Sequence, residues 1–268
     1  MKIAVIPNLH NDGVRALTDD ILSQLDALGA DAAEATAPDG SEDLIIAVGG
    51  DGTTLNIAKQ AALYGLETLG INAGRLGFMS GLERNELSLL SELVNGCYTV
   101  DERMMLCARI CEAGKPDREY HALNDAVITR GDWARLIDIS VLCDGRAVTD
   151  TRADGLIVST PTGSTAYTMA AGGPVVSPDN ACFIVTPICP HSLMNRSIIF
   201  PADKELEVCV GSDKNNGSYI SIDGNESIPI SVNSKIVISK SRYTAKLIKL
   251  KPDNFYEILN KKILERRY

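Results

Sequence analysis

Gly49-Gly50-Asp51-Gly52-Thr53 follows the apolar run Leu44 to Val48 and precedes a helical stretch that begins near Thr54. An acid set among glycines suits phosphate chemistry. Glycines let the main chain turn tightly and bring bare N–H groups up to an oxyanion, and a helix starting just beyond adds roughly half a positive charge. Asp51 could accept a hydroxyl proton or approach a magnesium ion. The alternative at this point is a glycine turn in which Asp51 caps the helix. The loop is not a Walker A sequence, since no Gly-Lys-Ser/Thr follows, and it is not Gly-x-Gly-x-x-Gly.

Three further segments carry chemistry. Gly70-Ile71-Asn72-Ala73-Gly74-Arg75-Leu76-Gly77-Phe78-Met79 is a second glycine-dense loop at a strand end, with Phe78 readable as a core residue. Asn124 and Asp125 open an apolar strand, where an amide and a carboxylate could grip the paired hydroxyls of a ribose or simply form a turn. In Arg152 to Tyr167 an apolar strand empties into hydroxyls, a glycine and a run of small residues that lets a flat ring approach the backbone. A serine nucleophile at Ser164 with His191 as base lacks the Gly-x-Ser-x-Gly elbow, and His191 reads better as a structural group. His10 and His121 show no partners, and the three histidines lack metal-ligand spacing.

The elements that must position these residues divide the chain. Up to about residue 98, strands at Ile3 to Ile6, Leu44 to Val48 and Glu67 to Ile71 alternate with helical stretches at Gly13 to Leu28 and Thr54 to Tyr64, which predicts crossover connections and a parallel sheet. Beyond Val100, short β-like runs succeed one another: Met105 to Glu112, His121 to Thr129, Ile137 to Cys143, Gly155 to Ser159, Cys182 to Pro187, Ser197 to Phe200, Glu205 to Val210, Tyr219 to Ile222 and Lys235 to Ser239. Asp144-Gly145, Asn216-Gly217 and Asp223-Gly224 punctuate them as antiparallel turns. A helix is expected over Ser164 to Ala171, and Phe255 to Arg267 has a helical pattern.

The 268 residues carry 35 acidic and 26 basic side chains, a net charge of −9, with 45% hydrophobic and 23% charged residues. That is ordinary globular usage. The acidic balance argues against a nucleic-acid coat, which needs Lys and Arg to displace counterions. The charge is uneven: residues 1 to 60 hold three basic and ten acidic groups, and residues from Lys240 onward hold nine basic and three acidic. No apolar stretch approaches the roughly 18 residues of a spanning helix, and the N-terminus lacks a secretory pattern. Seven cysteines, without a Cys-x-x-Cys pair, read as small core hydrophobes in a reducing compartment, the cytoplasm.

Taken in order, Gly-Gly-Asp-Gly-Thr, Asn-Ala-Gly-Arg-Leu-Gly-Phe, Ala-Leu-Asn-Asp, the stretch from Asp154 to Tyr167 and Thr186-Pro187-Ile188-Cys189-Pro190-His191 resemble the NAD kinase family. Gly-Gly-Asp-Gly alone is shared with lipid kinases and phosphofructokinases; the stretch from Asp154 is the specific part. The resemblance implies an N-terminal parallel, Rossmann-like α/β domain (residues 1–98), a β-sandwich-like NAD-binding domain (99–245) with a ligand cleft between the two, and a C-terminal segment (246–268) packing back on the first domain. It implies transfer of the γ-phosphoryl of ATP, or in some members of polyphosphate, to the 2′-hydroxyl of the adenosine ribose of NAD, with a divalent cation such as Mg2+. It further implies a homodimer or homotetramer, with Tyr167 the position expected to cross between subunits.

Carried over residue by residue, Asp51 looks like the acid that takes the hydroxyl proton, and Gly49, Gly50, Gly52 and Thr53 form the phosphate loop. Asn124 and Asp125 would bind ribose and adenine groups, with Arg135, Arg152 and Asp154 on the rest of the dinucleotide. Phe78, Thr165, Ala166, Tyr167, Thr168, Met169 and Ala170 would shape the pockets, and Asn225 would close the far side. Asp125 and Asn225 stand where the family often has Glu and Gln, each one methylene shorter. No lysine follows the first glycine loop, so the group that neutralises the donor triphosphate is not readable. Two rivals are a lipid kinase, which predicts a membrane-docking surface, and a dinucleotide-binding module without catalysis, which would not need Asp51.

Overall fold

A computed structural model of the chain describes residues 1–10, 13–74, 77–131, 136–192, 196–211, 217–225, 227–252 and 255–265, with the side chains of 263–265 left aside. Two compact units emerge: Met1–Arg103 with Thr244–Tyr268, and Met104–Tyr243.

The first unit begins β1 (Lys2–Pro7), α1 (Val14–Ala27), β2 (Asp31–Glu34), β3 (Leu44–Gly49), α2 (Asp51–Ala62), β4 (Glu67–Asn72), β5 (Leu82–Glu83). A 3-10 turn (Arg84–Leu89) and α3 (Leu90–Val94) follow. The strands pair in parallel in the order β2-β1-β3-β4, as crossover helices require. Alternation along each strand explains the two covered faces. Ile3, Val5, Leu44, Ile46 and Val48 pack with Val14, Leu17, Ile21 and Leu25, the apolar stripe of α1. Ala4, Ile6, Ile45 and Ala47 face the other way, onto Ile57 and Ala61 of α2. A strand buried on both sides reads as a continuous apolar run, which is why β3 is plain in the sequence. Truncating a side chain such as Ile46, which is fully buried, to alanine costs roughly 2–5 kcal/mol.

The second unit holds the outer part of β6 (Thr99–Cys111), then β7 (Arg118–Ala122), β8 (Asp125–Arg130), β9 (Ile137–Cys143), β10 (Arg146–Ala153) and β11 (Gly155–Ser159). A 3-10 turn (Thr162–Thr165) and the short α4 (Tyr167–Ala170) lead to β12 (Cys182–Ile188), β13 (Ile198–Pro201), β14 (Leu206–Val210), β15 (Ser218–Ile222), β16 (Ile228–Ile230) and the first part of β17 (Lys235–Lys249). One sheet runs β13-β12-β11-β8-β15-β16, antiparallel throughout. In the other, β10, β9, β14 and β17 pair in that order, also antiparallel. Leu156, Val158, Ala126 and Ile128 of the first sheet and Ile139, Val141, Val208 and Ile236 of the second share one core, so this unit is a sandwich. Residues 244–249 of β17 belong to the first unit, where Lys246 and Leu247 pair with Glu67 and Thr68 of β4. The chain then forms α5 (Phe255–Glu265).

Several sequence expectations change. The run His121 to Thr129 is two strands, broken at Leu123-Asn124 because an acid elsewhere takes their amides, as described below. The helix expected over Ser164 to Ala171 is instead a 3-10 turn and a four-residue helix. Strand β10 was not anticipated: Arg146–Ala153 is polar and largely exposed, with no apolar alternation to mark it. Strand β17 continues far past Ser239. Among the described residues, no helix is long and apolar enough to cross a membrane.

Candidate active site

In the first unit the sheet order reverses direction between β1 and β3, and in open α/β sheets ligands bind outside the carboxyl ends of the strands at such a point. Gly49 to Thr53 sits there. Asn8, just past β1, donates its side-chain amide to Thr53 Oγ1 at 3.1 Å, and its backbone N–H reaches Val48 O at 2.9 Å. These bonds tie the two strand ends together. Nothing local in the sequence distinguishes Asn8 from a turn residue. Gly49 has to be a glycine, since a β-carbon would collide with the side chain of Thr53.

Asp51 is the first residue of α2, with Gly50 as the N-cap. Its carboxylate does not cap its own helix. Oδ2 accepts the Phe78 N–H at 3.0 Å and Oδ1 accepts the Met79 N–H at 3.1 Å. The second glycine loop thus orients the acid of the first. The Lys262 ammonium, on α5, lies 3.2 Å from Asp51 Oδ2 and 4.4 Å above the Phe78 ring. Phe78 in turn packs on Phe255, with ring centroids 5.9 Å apart. The amides of Asp51 and Gly52 open α2, where helical N–H groups have no carbonyl partner within the helix, so acid, amides and ammonium meet at one loop.

The second unit contains a cavity of about 350 Å³ whose walls include Asn124, Asp125, Ala166, Tyr167, Ser221 and Asp223. Asp223 is the organiser. Its carboxylate accepts the N–H groups of Leu123, Asn124 and Asp125 at 3.1, 2.7 and 3.1 Å, which breaks the strand and aims Asn124 and Asp125 at the cavity. Asp223 has φ 53°, a left-handed conformation that Asp tolerates better than most residues. In the sequence it looked only like half of an Asp-Gly turn. Asp125 is buried, and burial beside the Asp223 carboxylate pushes its carboxyl up to about 7.

The hydroxyl-rich segment packs directly on this turn. Thr160 Oγ1 donates to Leu123 O at 2.5 Å and accepts the Gly163 N–H at 3.2 Å. A β-carbon at Gly163 would overlap the Asn124 backbone. Thr168 is buried with its hydroxyl 2.8 Å from Ser159 Oγ, while Thr165 Oγ1 donates to Thr162 O at 3.2 Å. Met169 is half-buried and Ala170 exposed. Ser164 is fully buried, its hydroxyl bonded to the N–H and carbonyl of Val176, and His191 is exposed; the arrangement holds a loop and offers no accessible nucleophile.

Other expected site residues lie elsewhere. Arg152 is exposed and pairs with Asp138 at 2.9 Å, and Asp154 pairs with Arg130 at 3.2 Å. Arg130 and Asp154 belong to the end of the β8–β11 pair opposite Asp125 and Ser159, roughly 17 Å away at strand rise. Asn225 is exposed beside the cavity-lining Gly224, and its carbonyl accepts the Ser221 hydroxyl at 2.9 Å. Arg75, Leu76 and Arg135 lie outside the described residues. Away from the cavity, cross-strand pairing brings Cys107 beside His121, and with Glu119 their ligating atoms lie within 4.8 Å of one another. Burial pushes the Cys107 thiol up.

An acid-bearing glycine loop at the switch point of a parallel sheet, with an acid-lined cavity in a β-sandwich, fits a nucleotide-dependent phosphotransferase. Family profiles agree. The ATP-NAD kinase N-terminal domain matches residues 30–98, and the ATP-NAD kinase C-terminal domain matches residues 123–250. The chain belongs to the NAD kinase family. It is 41% identical over 224 residues to an NAD kinase of Carboxydothermus hydrogenoformans, covering 83% of this chain and 80% of that protein. An NAD kinase of Natranaerobius thermophilus is 36% identical over 98% of this chain and 97% of its own. The crystal structure of an NAD kinase from Archaeoglobus fulgidus in complex with ATP superposes with a TM-score of 0.80 at 28% identity, covering 98% of each chain.

Proposed function

We propose that this chain transfers the γ-phosphoryl group of ATP to the 2′-hydroxyl of the adenosine ribose of NAD, yielding NADP and ADP. The observation that carries the reading is the Asp51 carboxylate, held at the sheet's switch point by the amides of Phe78 and Met79. Phosphoryl transfer asks little covalent chemistry of a protein; positioning and charge stabilisation supply most of the acceleration. Asp51 accepts the hydroxyl proton, and the glycine amides with the start of α2 receive phosphate oxygens.

In the sandwich unit, Asn124 and Asp125 grip ribose and adenine groups, with Ala166 and Tyr167 against the flat ring. Asp125 near neutrality can donate as well as accept. Thr165, Thr168, Met169 and Ala170 shape the wall indirectly, through the turn they build. Arg135, Arg152, Asp154 and Asn225 are assigned to the dinucleotide by likeness to the family alone.

Asp51 is the one carboxylate of the glycine loop, and its oxygens already receive two amides and an ammonium. Of about four lone-pair positions, one is left. The hydroxyl proton needs that position, so a Mg2+ ion, which keeps most of its ligands as water and substrate phosphate, would be held chiefly by the donor phosphates and water. When bound, such an ion neutralises donor phosphate charge.

Tyr167 is 44% exposed at the cavity wall, which supports a homo-oligomer in which a second copy covers it. All seven cysteines are free, in keeping with the cytoplasm. Polyphosphate is an alternative donor. Purified protein with Mg2+, NAD and either donor, coupled to an NADP-specific dehydrogenase, tests the reading: NADP accumulates with ATP, and a folded sample that forms none from either donor overturns it.

A further inference from the structure

The glycine loop has no lysine of its own, yet the structure delivers one from 211 residues away. Lys262 Nζ stands 3.2 Å from Asp51 Oδ2. We propose that Lys262 is the cation that receives the terminal phosphate of the donor, keeping its bond to the Asp51 carboxylate and offering its other N–H donors to a phosphoryl oxygen when the nucleotide binds. The inference rests on the kinase reading above.

Four features point to this role. The ammonium is positioned from two sides, by the Asp51 carboxylate and by the Phe78 ring 4.4 Å from it. Its helix is anchored on the same face, because Phe255 lies seven residues earlier, is buried, and packs on that same Phe78 ring. The pair is half-buried, with side-chain values of 27% and 33%, so the ammonium is held in place yet can still be reached by a ligand. Finally, an ammonium has three N–H donors. Among the described residues Asp51 is its hydrogen-bonding partner, which leaves two of those donors for a ligand at the loop.

The chemistry requires such a group. For transfer, a terminal phosphate must come close to a carboxylate of the same sign, and a cation between them removes the repulsion. The acceptor hydroxyl oxygen bonds to the γ-phosphorus as the bond from that phosphorus to the β–γ bridging oxygen breaks, its electron pair leaving on ADP. The hydroxyl proton passes to Asp51. Lys262 keeps its protons throughout and holds a non-bridging oxygen.

The test is steady-state kinetics of the full-length protein with Mg2+, NAD and ATP, comparing wild type with Lys262→Met, Lys262→Gln, Lys262→Arg and the exposed neighbour Lys261→Met. Loss of one preorganised charge-stabilising donor is expected to lower kcat/KM for ATP by about 100-fold or more in the Met and Gln variants. The KM for NAD and the melting temperature stay near wild type. Arginine restores at least about a tenth of the lost rate, and Lys261→Met behaves as wild type. Gln keeps a stem over Phe78, so a loss confined to Met, with Gln near wild type, counts against the proposal. Kinetics for ATP unchanged within about twofold in Gln, an increase in activity, or equal losses for ATP and NAD with a lowered melting temperature would each overturn the proposal. Wild type that forms no NADP in the same assay instead overturns the kinase reading itself.

Discussion

A β-carbon on Gly77 would overlap Oδ1 of Asp51. The glycine between Leu76 and Phe78 is therefore the space into which the acid of the first loop is set, and it lets the next two amides close on both carboxylate oxygens. Gly77→Ala is expected to push Asp51 off these amides. A displacement near 1 Å costs about 100-fold in rate, and overpacking costs about 1–3 kcal/mol of stability. Turnover and thermal melting of the variant check both.

Asp51→Asn nearly keeps the shape, gives up one of the two amide bonds from Phe78 and Met79 and removes the base. A positioned general base contributes roughly 10²–10⁴, so kcat falls by that order. NAD affinity, measured by calorimetry, changes little. An unchanged turnover would contradict the assignment of Asp51.

The Asp125 carboxyl, pushed up to about 7 from an ordinary 3.8 by burial and by Asp223, links folding to pH. The folded chain binds a proton there that the unfolded chain has released, so this contribution is complete below about pH 4 and is lost as pH rises towards 7. The slope is on the order of 1 kcal/mol per pH unit inside that window. Glu112 works in the opposite sense at lower pH: hydrogen bonds from Ser231, together with Lys115, hold it down to about 2, so its contribution is lost as pH falls below about 4.5. Urea melts from pH 4 to 7.5 should show wild type losing stability relative to Asp125→Asn as pH rises, with a flat difference contradicting the buried acid.

Asp223→Asn replaces an acceptor of three amides with a group whose N–H cannot accept. Asparagine tolerates the left-handed backbone, so the defect is confined to the hydrogen bonds. Roughly 1–3 kcal/mol of stability should be lost, and the KM for NAD should rise several-fold. The Asp125 carboxyl should titrate lower without its charged neighbour, which carbon-detected NMR titration would read.

Much of this architecture is legible locally. Val14, Leu17, Ile21 and Leu25 mark one helix face, and the unbroken apolar run into Gly49 marks a strand buried on both sides. The glycine loops announce a phosphate site for the same reason: φ freedom and close approach are properties of single residues. What was not legible depends on distant partners. Arg146–Ala153 forms a strand because Ile137–Cys143 is there to pair with it, despite a polar sequence. Asp223 becomes the organiser of Asn124 and Asp125 only across some hundred residues of chain. Lys262 sits among other basic residues near the C-terminus, and nothing in its neighbours ties it to Asp51.

The central claim is a bond formed at one oxygen. Phosphorus NMR of a reaction containing the protein, Mg2+, NAD and ATP reads it directly. The account predicts a 2′-phosphomonoester on the adenosine ribose, appearing in a one-to-one ratio with ADP. ATP consumed without that resonance, or phosphate at a different hydroxyl, would contradict it.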